Sequence, residues 1–507
     1  MKRTVTMITV IFLLFALICP AGAVSGSGDA VSAVLSLRRG EDEALLSGSL
    51  AGHAGTTDAD WYAFLAGVSG EKTGADVYLT MLSRYVGAKY REEGTLDPVK
   101  STEWHRIALT VLALGGDPTD FAGHDLIAEG IFFRAETAEI DAQGISGVIF
   151  ALITADSMRY PVPEGAKDDR NSLLSLLLSY QNEDGGFPQI MRQSDPDTTA
   201  MALVALSPYF GGDVDFPEVT VDGKTVREAA DAALNYLSGV QLADGTFRSM
   251  GKVNCESTAQ VLLALTALGI SPDDPRFVKE AGLLSALYSF RAEDGGFFHA
   301  KGDGKSSPMA GQQAALALLA LDRREKGLSF VYDLRPAASP ETGVPDTAAD
   351  AAALSPAVVS AIRSLPDPLT TNDETEIVRL LSVLRAAADR EQYAAEEALL
   401  TGALTKIDRI RDEIASLDRE IGAWLKDGDA AAGRALLARA EALPESDRAK
   451  VERLPGLRTA LAGAASGTRS GKATLIVSAA AVLLLASAVT GILLRRAKKK
   501  NTENPDW

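Results

Sequence analysis

The chain has 507 residues, a formal net charge of -18 and 6% aromatic residues. An acidic field of that size repels nucleic acid and anionic lipid headgroups, so no nucleic-acid partner is expected. Its two cysteines, Cys19 and Cys255, cannot make a disulfide framework or a cysteine zinc site of the usual spacing, so stability has to come from packing.

Lys2 and Arg3 precede an apolar run over residues 5–19, and Ala21, Gly22 and Ala23 come next as a cleavage site of the A-x-A kind. Residues 1–23 therefore read as a signal peptide, with export of the chain from Val24 onward. Setting aside Lys2, Arg3 and a tail of five basic residues against Glu503 and Asp506, the segment between carries a net charge of -23.

From residue 24 to 325 the pattern is helical, and three stretches repeat one another. They read QNEDGGF then TTAMALVAL, QLADGTF then STAQVLLAL, and RAEDGGF then QQAALALLAL. A period of 50 to 60 residues means stacked supersecondary units. Each unit starts with an amphipathic helix, as over residues 170–181 and 226–241, which has one wet face and belongs outside. Asp-Gly-Gly then breaks the chain, because Gly tolerates positive φ and Asp bonds the backbone two residues on. After a short loop comes a run apolar nearly all round, such as residues 261–268, which belongs inside.

The same grammar finds three degenerate hairpins in the first half. Their inner candidates are residues 60–70, 101–116 and 143–156, and their outer candidates 29–39, 75–91 and 124–135. Six outer and six inner helices close into a double-walled ring, an all-α, α6/α6 toroid, which removes the exposed ends of an open solenoid.

Residues 326–368, rich in Ala, Pro, Ser, Asp and Thr, read as a linker. Residues 369–465 read as a helical stalk or small bundle, with Ile377, Leu380, Leu381 and Leu384 on one face and Ile407, Ile410, Ile414, Leu417 and Ile421 on another. Residues 473–494 contain no charge, which is long enough for a transmembrane helix, and the basic tail 495–507 puts the C-terminus in the cytoplasm by the positive-inside rule. The expected localisation is a cell membrane crossed once, with the N-terminal domain outside.

These units resemble the Q-x-x-D-G-G-[FW] repeats of the terpenoid cyclase and protein prenyltransferase α/α toroid, and most closely the exported bacterial prenyltransferase and squalene oxidase repeat proteins. The words that carry the likeness are STEWHRIALTVLALGGDP, DPDTTAMALVAL and NCESTAQVLLALTALGI, in that order. The same superfamily includes cobalamin carriers and thioester proteins of the complement type.

The resemblance supplies the candidate chemistry. Class II terpene cyclases carry D-x-D-D-T-A where this chain has D-P-D-T-T-A, so Asp197 matches the middle Asp, the general acid, and Asp195 the first, while Thr198 replaces the last. Protonating an alkene needs a neutral yet acidic carboxyl in a dry pocket and aromatic faces to stabilise cations. The competing structural reading is that Asp197 or Thr198 caps the inner helix, a contribution of about 1 kcal/mol. Protein prenyltransferases hold zinc with an Asp, a Cys two residues on and a distant His. Here Glu256 stands for the Asp, Thr258 for the Cys, Cys255 is out of register and His299 reads as a surface residue, so no metal is expected. The thioester word G-C-G-E-Q is absent.

What remains is a polar collar. Every hairpin gathers polar residues at the start of its inner helix: Asp58, Asp60 and Trp61; Glu103, Trp104 and Arg106; Gln143 and Ser146; Asp197 and Thr198; Glu256, Thr258 and Gln260; Gln312 and Gln313. Closure of the ring brings these to one mouth, over an apolar floor, in the form of a ligand pocket. Capping explains the acids but not Arg106, Trp104 or the glutamines. The reading is a cell-surface binding protein that needs no cofactor. By likeness to the cobalamin carriers its ligand is a corrinoid or another amphipathic small molecule, and a surface partner is the other option. The alternatives are a terpene-cyclase-like enzyme with Asp197 as general acid, and a structural surface protein.

Overall fold

A computed structural model describes residues 27–39, 44–48, 50–189, 193–211, 220–221, 223–336 and 353–465, and the chain divides into two units, residues 1–350 and 351–507. The expected signal peptide and the apolar run 473–494 lie outside the described residues. Among the described residues no helix is long and apolar enough to cross a membrane.

The inner helices of the first unit are α2 (Thr57–Ser69), α4 (Thr102–Leu114), α5 (Ser146–Ser157), α7 (Pro196–Phe210), α9 (Cys255–Ala267) and α11 (Pro308–Glu325). The outer ones are α1 (Ser27–Ser36), α3 (Ala75–Glu93), α6 (Arg170–Ser179), α8 (Val226–Val240) and α10 (Leu283–Tyr288). Local sequence sets their ends. Thr225 and Glu228 form a capping box at the start of α8, and Asp169 and Ser172 another at α6. Gly70 and Gly115 end α2 and α4 in the left-handed conformation.

The ring is closed. Helix α2 packs on α4, α4 on α5, α5 on α7, α7 on α9, α9 on α11, and α11 returns to α2. At that seam the Tyr62 hydroxyl donates to the Pro308 carbonyl over 2.9 Å, Arg323 donates to the Val68 carbonyl over 3.0 Å, and Ser27 donates to Asp322 over 3.2 Å.

The third outer position departs from expectation. In place of a helix over residues 124–135 the chain makes a π-helical turn at Ala128–Phe132. Gly130 lies so close to Trp104 that a Cβ would fall 2.3 Å from the indole side chain's own Cβ. Trp104 occupies the volume a regular outer helix would need.

The toroid is also not purely helical, because among the described residues three two-stranded ribbons interrupt it. They are β1–β2 (Phe187–Pro188 with Ser194–Asp195), β3–β4 (Thr220–Val221 with Lys224–Thr225) and β5–β6 (Phe247–Ser249 with Lys252–Asn254). In the first and third, the buried Phe of the repeat word stands opposite the residue that caps the next inner helix: Phe187 faces Asp195, and Phe247 faces Asn254.

The repeat words themselves serve packing. Asp184, Asp244 and Asp294 each accept from the backbone N–H two residues on, at 2.9, 3.2 and 2.8 Å, and the glycine between has φ of 88°, 81° and 88°. Phe187, Phe247 and Phe297 are fully buried. Gln241 donates to the carbonyls of Gly245 and Phe277, both at 3.0 Å, and Gln181 does the same to Gly185 and Ala229, both at 2.8 Å. The recurring Gln is thus a staple between one hairpin and its neighbour.

Residues 327–336, assigned by composition to a linker, are part of this unit. The Leu334 N–H donates to the Ser157 carbonyl, Val331 is fully buried, and Tyr332 stacks on Phe64 with ring centroids 5.2 Å apart.

The second unit holds α12 (Pro356–Arg363), also inside the expected linker, then α13 (Glu374–Ala386), α14 (Ala394–Asp427), α15 (Ala430–Glu441), the short α16 (Glu445–Arg448) and α17 (Leu454–Ala465). Helix α14 is the spine. Ile377, Leu380, Leu381 and Leu384 of α13 are buried, as are Ile407, Leu417 and Ile421 of α14. Leu436, Ala440, Leu454 and Leu457 join Leu417 and Ile421 in one apolar cluster.

Candidate functional site

Because the inner helices run parallel in a ring, their first turns meet at one mouth. There they enclose a cavity of about 540 Å³ lined by residues of all six. Helix α2 contributes Thr57, Asp58, Trp61 and Tyr62; α4 contributes Thr102, Glu103 and Arg106. Gln143, Ser146 and Phe150 come from α5 and the loop before it, Met201 from α7 and Gln260 from α9. Helix α11 supplies Met309, Gln312, Gln313 and Leu316, and Tyr332 closes the bottom.

The layering reflects helix periodicity. On α2 and α5 the first-turn residues Thr57 and Ser146 are polar and those one turn deeper on the same face, Trp61 and Phe150, are apolar, whereas on α4, α9 and α11 the residues one turn in, Arg106, Gln260 and Gln312, are still polar. The rings of Trp61 and Phe150 lie 5.6 Å apart, and Trp61 meets Phe64 edge-on at 5.7 Å. Low overall aromatic content therefore conceals an aromatic floor.

Of the collar residues expected from sequence, Asp58, Trp61, Glu103, Arg106, Gln143, Ser146, Gln260, Gln312 and Gln313 line the cavity. Gln143 bonds the Thr102 hydroxyl, and Gln260 donates to Gln313 over 3.0 Å.

The others are placed elsewhere. Asp60 is fully buried behind the wall, accepting from the Gly55 N–H at 2.9 Å, the Tyr78 hydroxyl at 2.7 Å and Arg106 Nε at 2.9 Å. Trp104 turns outward, its Nε1–H donating to Tyr90 over 2.9 Å and its ring under the Arg134 guanidinium. Thr258 accepts from the Phe247 N–H at 3.4 Å and donates to the Asn254 carbonyl at 3.2 Å, locking the repeat Phe in place. Thr198 is buried against the Asp195 carboxylate.

Arg106 is saturated, with all five of its N–H groups taken. Nε bonds Asp60; one terminal nitrogen bonds Glu103 at 2.6 Å and Thr57 at 3.4 Å; the other bonds Glu103 at 2.8 Å and the Gly55 carbonyl at 2.8 Å. Burial works against its charge, but the Glu103 and Asp60 carboxylates outweigh that and hold it protonated well above its ordinary range.

The acid word resolves into two roles. Asp195, not Asp197 or Thr198, caps α7, accepting from the N–H groups of Asp197 at 3.0 Å and Thr198 at 3.1 Å; its second oxygen accepts from Ser249 at 2.6 Å. Asp197 is left with a buried oxygen, Oδ1, that has no hydrogen-bond partner among the described residues. Burial pushes its carboxyl up to about 7, opposed by the Ser257 hydroxyl and reinforced by the Asp195 and Glu256 charges. Neither Asp197 nor Glu256 lines the cavity, but each stands one helical turn before a residue that does, Met201 and Gln260.

His299 is not a bare surface residue, since its Nδ1 lies 2.9 Å from Glu256. The cysteine position of a prenyltransferase zinc set is held by the engaged Thr258 hydroxyl, which is no thiolate. Among the described residues no three His, Cys, Asp or Glu side chains cluster as metal ligands do.

A closed double-walled helical ring with a lumen opening at the inner-helix N-termini defines an α/α toroid. Residues 130–329 match the family model described as the prenyltransferase alpha-alpha toroid domain, so this part of the ring carries a toroid domain of that kind. The match begins inside the π-helical turn and leaves the first two hairpins outside it. No curated protein and no solved structure matches the chain.

Sequence reasoning missed Phe150, Met201, Leu316 and Tyr332. The first three stand four residues after collar positions, at Ser146, Asp197 and Gln312, a spacing that points them into the same lumen. Tyr332 lies beyond the last helix with no periodic signal.

Proposed function

We propose that the chain is an exported, membrane-anchored binding protein whose toroid holds a small amphipathic molecule at the mouth of the ring. One observation carries this reading: a cavity of about 540 Å³ with polar groups above and aromatic side chains below. That is the size and chemistry of sites that take drug-sized ligands. A corrinoid exceeds that volume and would rest at the mouth. Charge steers in the same direction, because a strongly acidic surface disfavours anionic partners.

Native mass spectrometry of the full chain incubated with a metabolite extract tests the reading. The expected result is a bound mass released on unfolding. A protein that carries no adduct under any extract fits the structural-protein reading instead.

A second reading, an enzyme with Asp197 as general acid, is favoured by the carboxyl held near neutrality with one oxygen unpartnered. It predicts that a captured ligand is converted by the native protein and only bound by Asp197→Asn. Against it stands Thr198 in the place of the third acid.

A further inference from the structure

The cavity's polar wall contains one cation among the described residues, Arg106, and that cation has no N–H left to offer. An anionic headgroup entering here would come beside Glu103 and Asp58, the latter already ion-paired with Arg38, with no unengaged donor fork among the lining residues to receive it. Recognition falls to an amide instead. Gln312 lines the cavity, is only 7% exposed, and no described residue hydrogen-bonds its side chain. Its amide opens only into the lumen, and an amide that no side chain engages is matched by a ligand group that both donates and accepts.

Depth is set from the other side. Tyr332 lines this cavity and also a second one, of about 180 Å³, at the opposite mouth, walled by Ile153, Val204, Ala267 and Phe330. Its ring, stacked on Phe64, is the partition between them.

Resting on the binding reading above, we propose that the ligand is an uncharged amphiphile, with an amide or hydroxyl headgroup at Gln312 and a hydrocarbon tail that runs over Trp61 and Phe150 and stops at Tyr332. The site rejects phosphate and carboxylate heads. The tail length it accepts is fixed by a residue of the strap beyond the last inner helix, not by the helices themselves.

Photoaffinity labelling of the full chain tests this, using diazirine-tagged octyl, dodecyl and hexadecyl primary amides and the matching alkyl phosphates, with labelled peptides located by mass spectrometry. The amides are expected to label peptides containing Trp61 and Phe150, and phosphates of equal length to label them at least about tenfold less. Gln312→Leu should reduce amide labelling about fivefold, the worth of an ordinary hydrogen bond, and leave the labelled peptides unchanged. Tyr332→Ala should shift the preference toward the hexadecyl probe and extend labelling to the peptides of Val204 and Phe330, while Tyr332→Phe keeps the native pattern. Where the Ala variant does not fold, Tyr332→Leu, shorter but apolar, replaces it with the same expectation. Equal labelling by amides and phosphates, or an unchanged length preference in the folded Tyr332 variants, overturns this inference and leaves the cavity as a binding site. Absence of labelling at the cavity peptides by every probe overturns the binding reading itself.

Discussion

Asp197 shows how one side chain can be tuned by place alone. It sits after a proline at the start of an inner helix, its neighbour Asp195 takes the cap, and what remains is a carboxyl in a dry spot facing two other acids. A native pKa near 7 lies above that of an unfolded Asp, so the native state holds the proton more tightly, and the group's contribution to stability falls as pH rises from about 4 to about 7. Asp197→Asn removes that dependence. Urea unfolding is expected to show the variant gaining on the native protein across this window, by up to about 1.4 kcal/mol per pH unit, with no further gain above it. Buried His105, pushed down to about 4, acts with the opposite sign, but equally in both proteins, and so cancels in the difference. A gain independent of pH would mean that Asp197 is ionised throughout. None of this tuning is legible in the word D-P-D-T-T-A, because it depends on Glu256 and Ser257 of the next hairpin, some sixty residues away in the sequence.

At the scale of elements, the alternation of outer and inner helices is legible because a one-faced and an all-round apolar pattern differ over a dozen residues. Where packing overrides pattern the reading fails. The π-helical turn at Ala128–Phe132 answers to Trp104, a contact between hairpins, and the strap with Tyr332 has no period at all. The inner helices also hide which of their faces looks into the lumen, since both sides are apolar. That is why Phe150 and Met201 pass unnoticed while Trp104, which faces outward, reads as part of the collar. Close helix contact has a testable signature at Gly67 of α2, where a Cβ would lie 2.5 Å from the backbone oxygen of Ala113 in α4. Backbone cannot yield as a side-chain tip can, so Gly67→Ala is expected to destabilise the protein by about 1–3 kcal/mol in chemical unfolding, despite alanine's better helix propensity.

For the ring as a whole, one seam joins the ends, closed by packing of α11 on α1 and α2 and by a few long-range bonds. Arg323 binds the Val68 carbonyl across it, and also the Ser329 carbonyl and hydroxyl at 2.8 and 3.0 Å, which fastens the start of the strap. Arg323→Ala is therefore expected to accelerate amide exchange in residues 328–334 and in the last turn of α2, and to leave α7 and α9 as protected as before. Exchange that rises evenly around the ring would show that the seam bears no special share of stability.

The seam joins what is made first to what is made last. Ser27 meets a partner 295 residues further along, and Tyr62 one 246 residues away. At ribosomal speeds of roughly 5–20 residues per second, the opening hairpin waits on the order of fifteen seconds to a minute for the helix that covers it. Throughout that interval its apolar flank stays uncovered, and completion of the ring is timed by the arrival of α11.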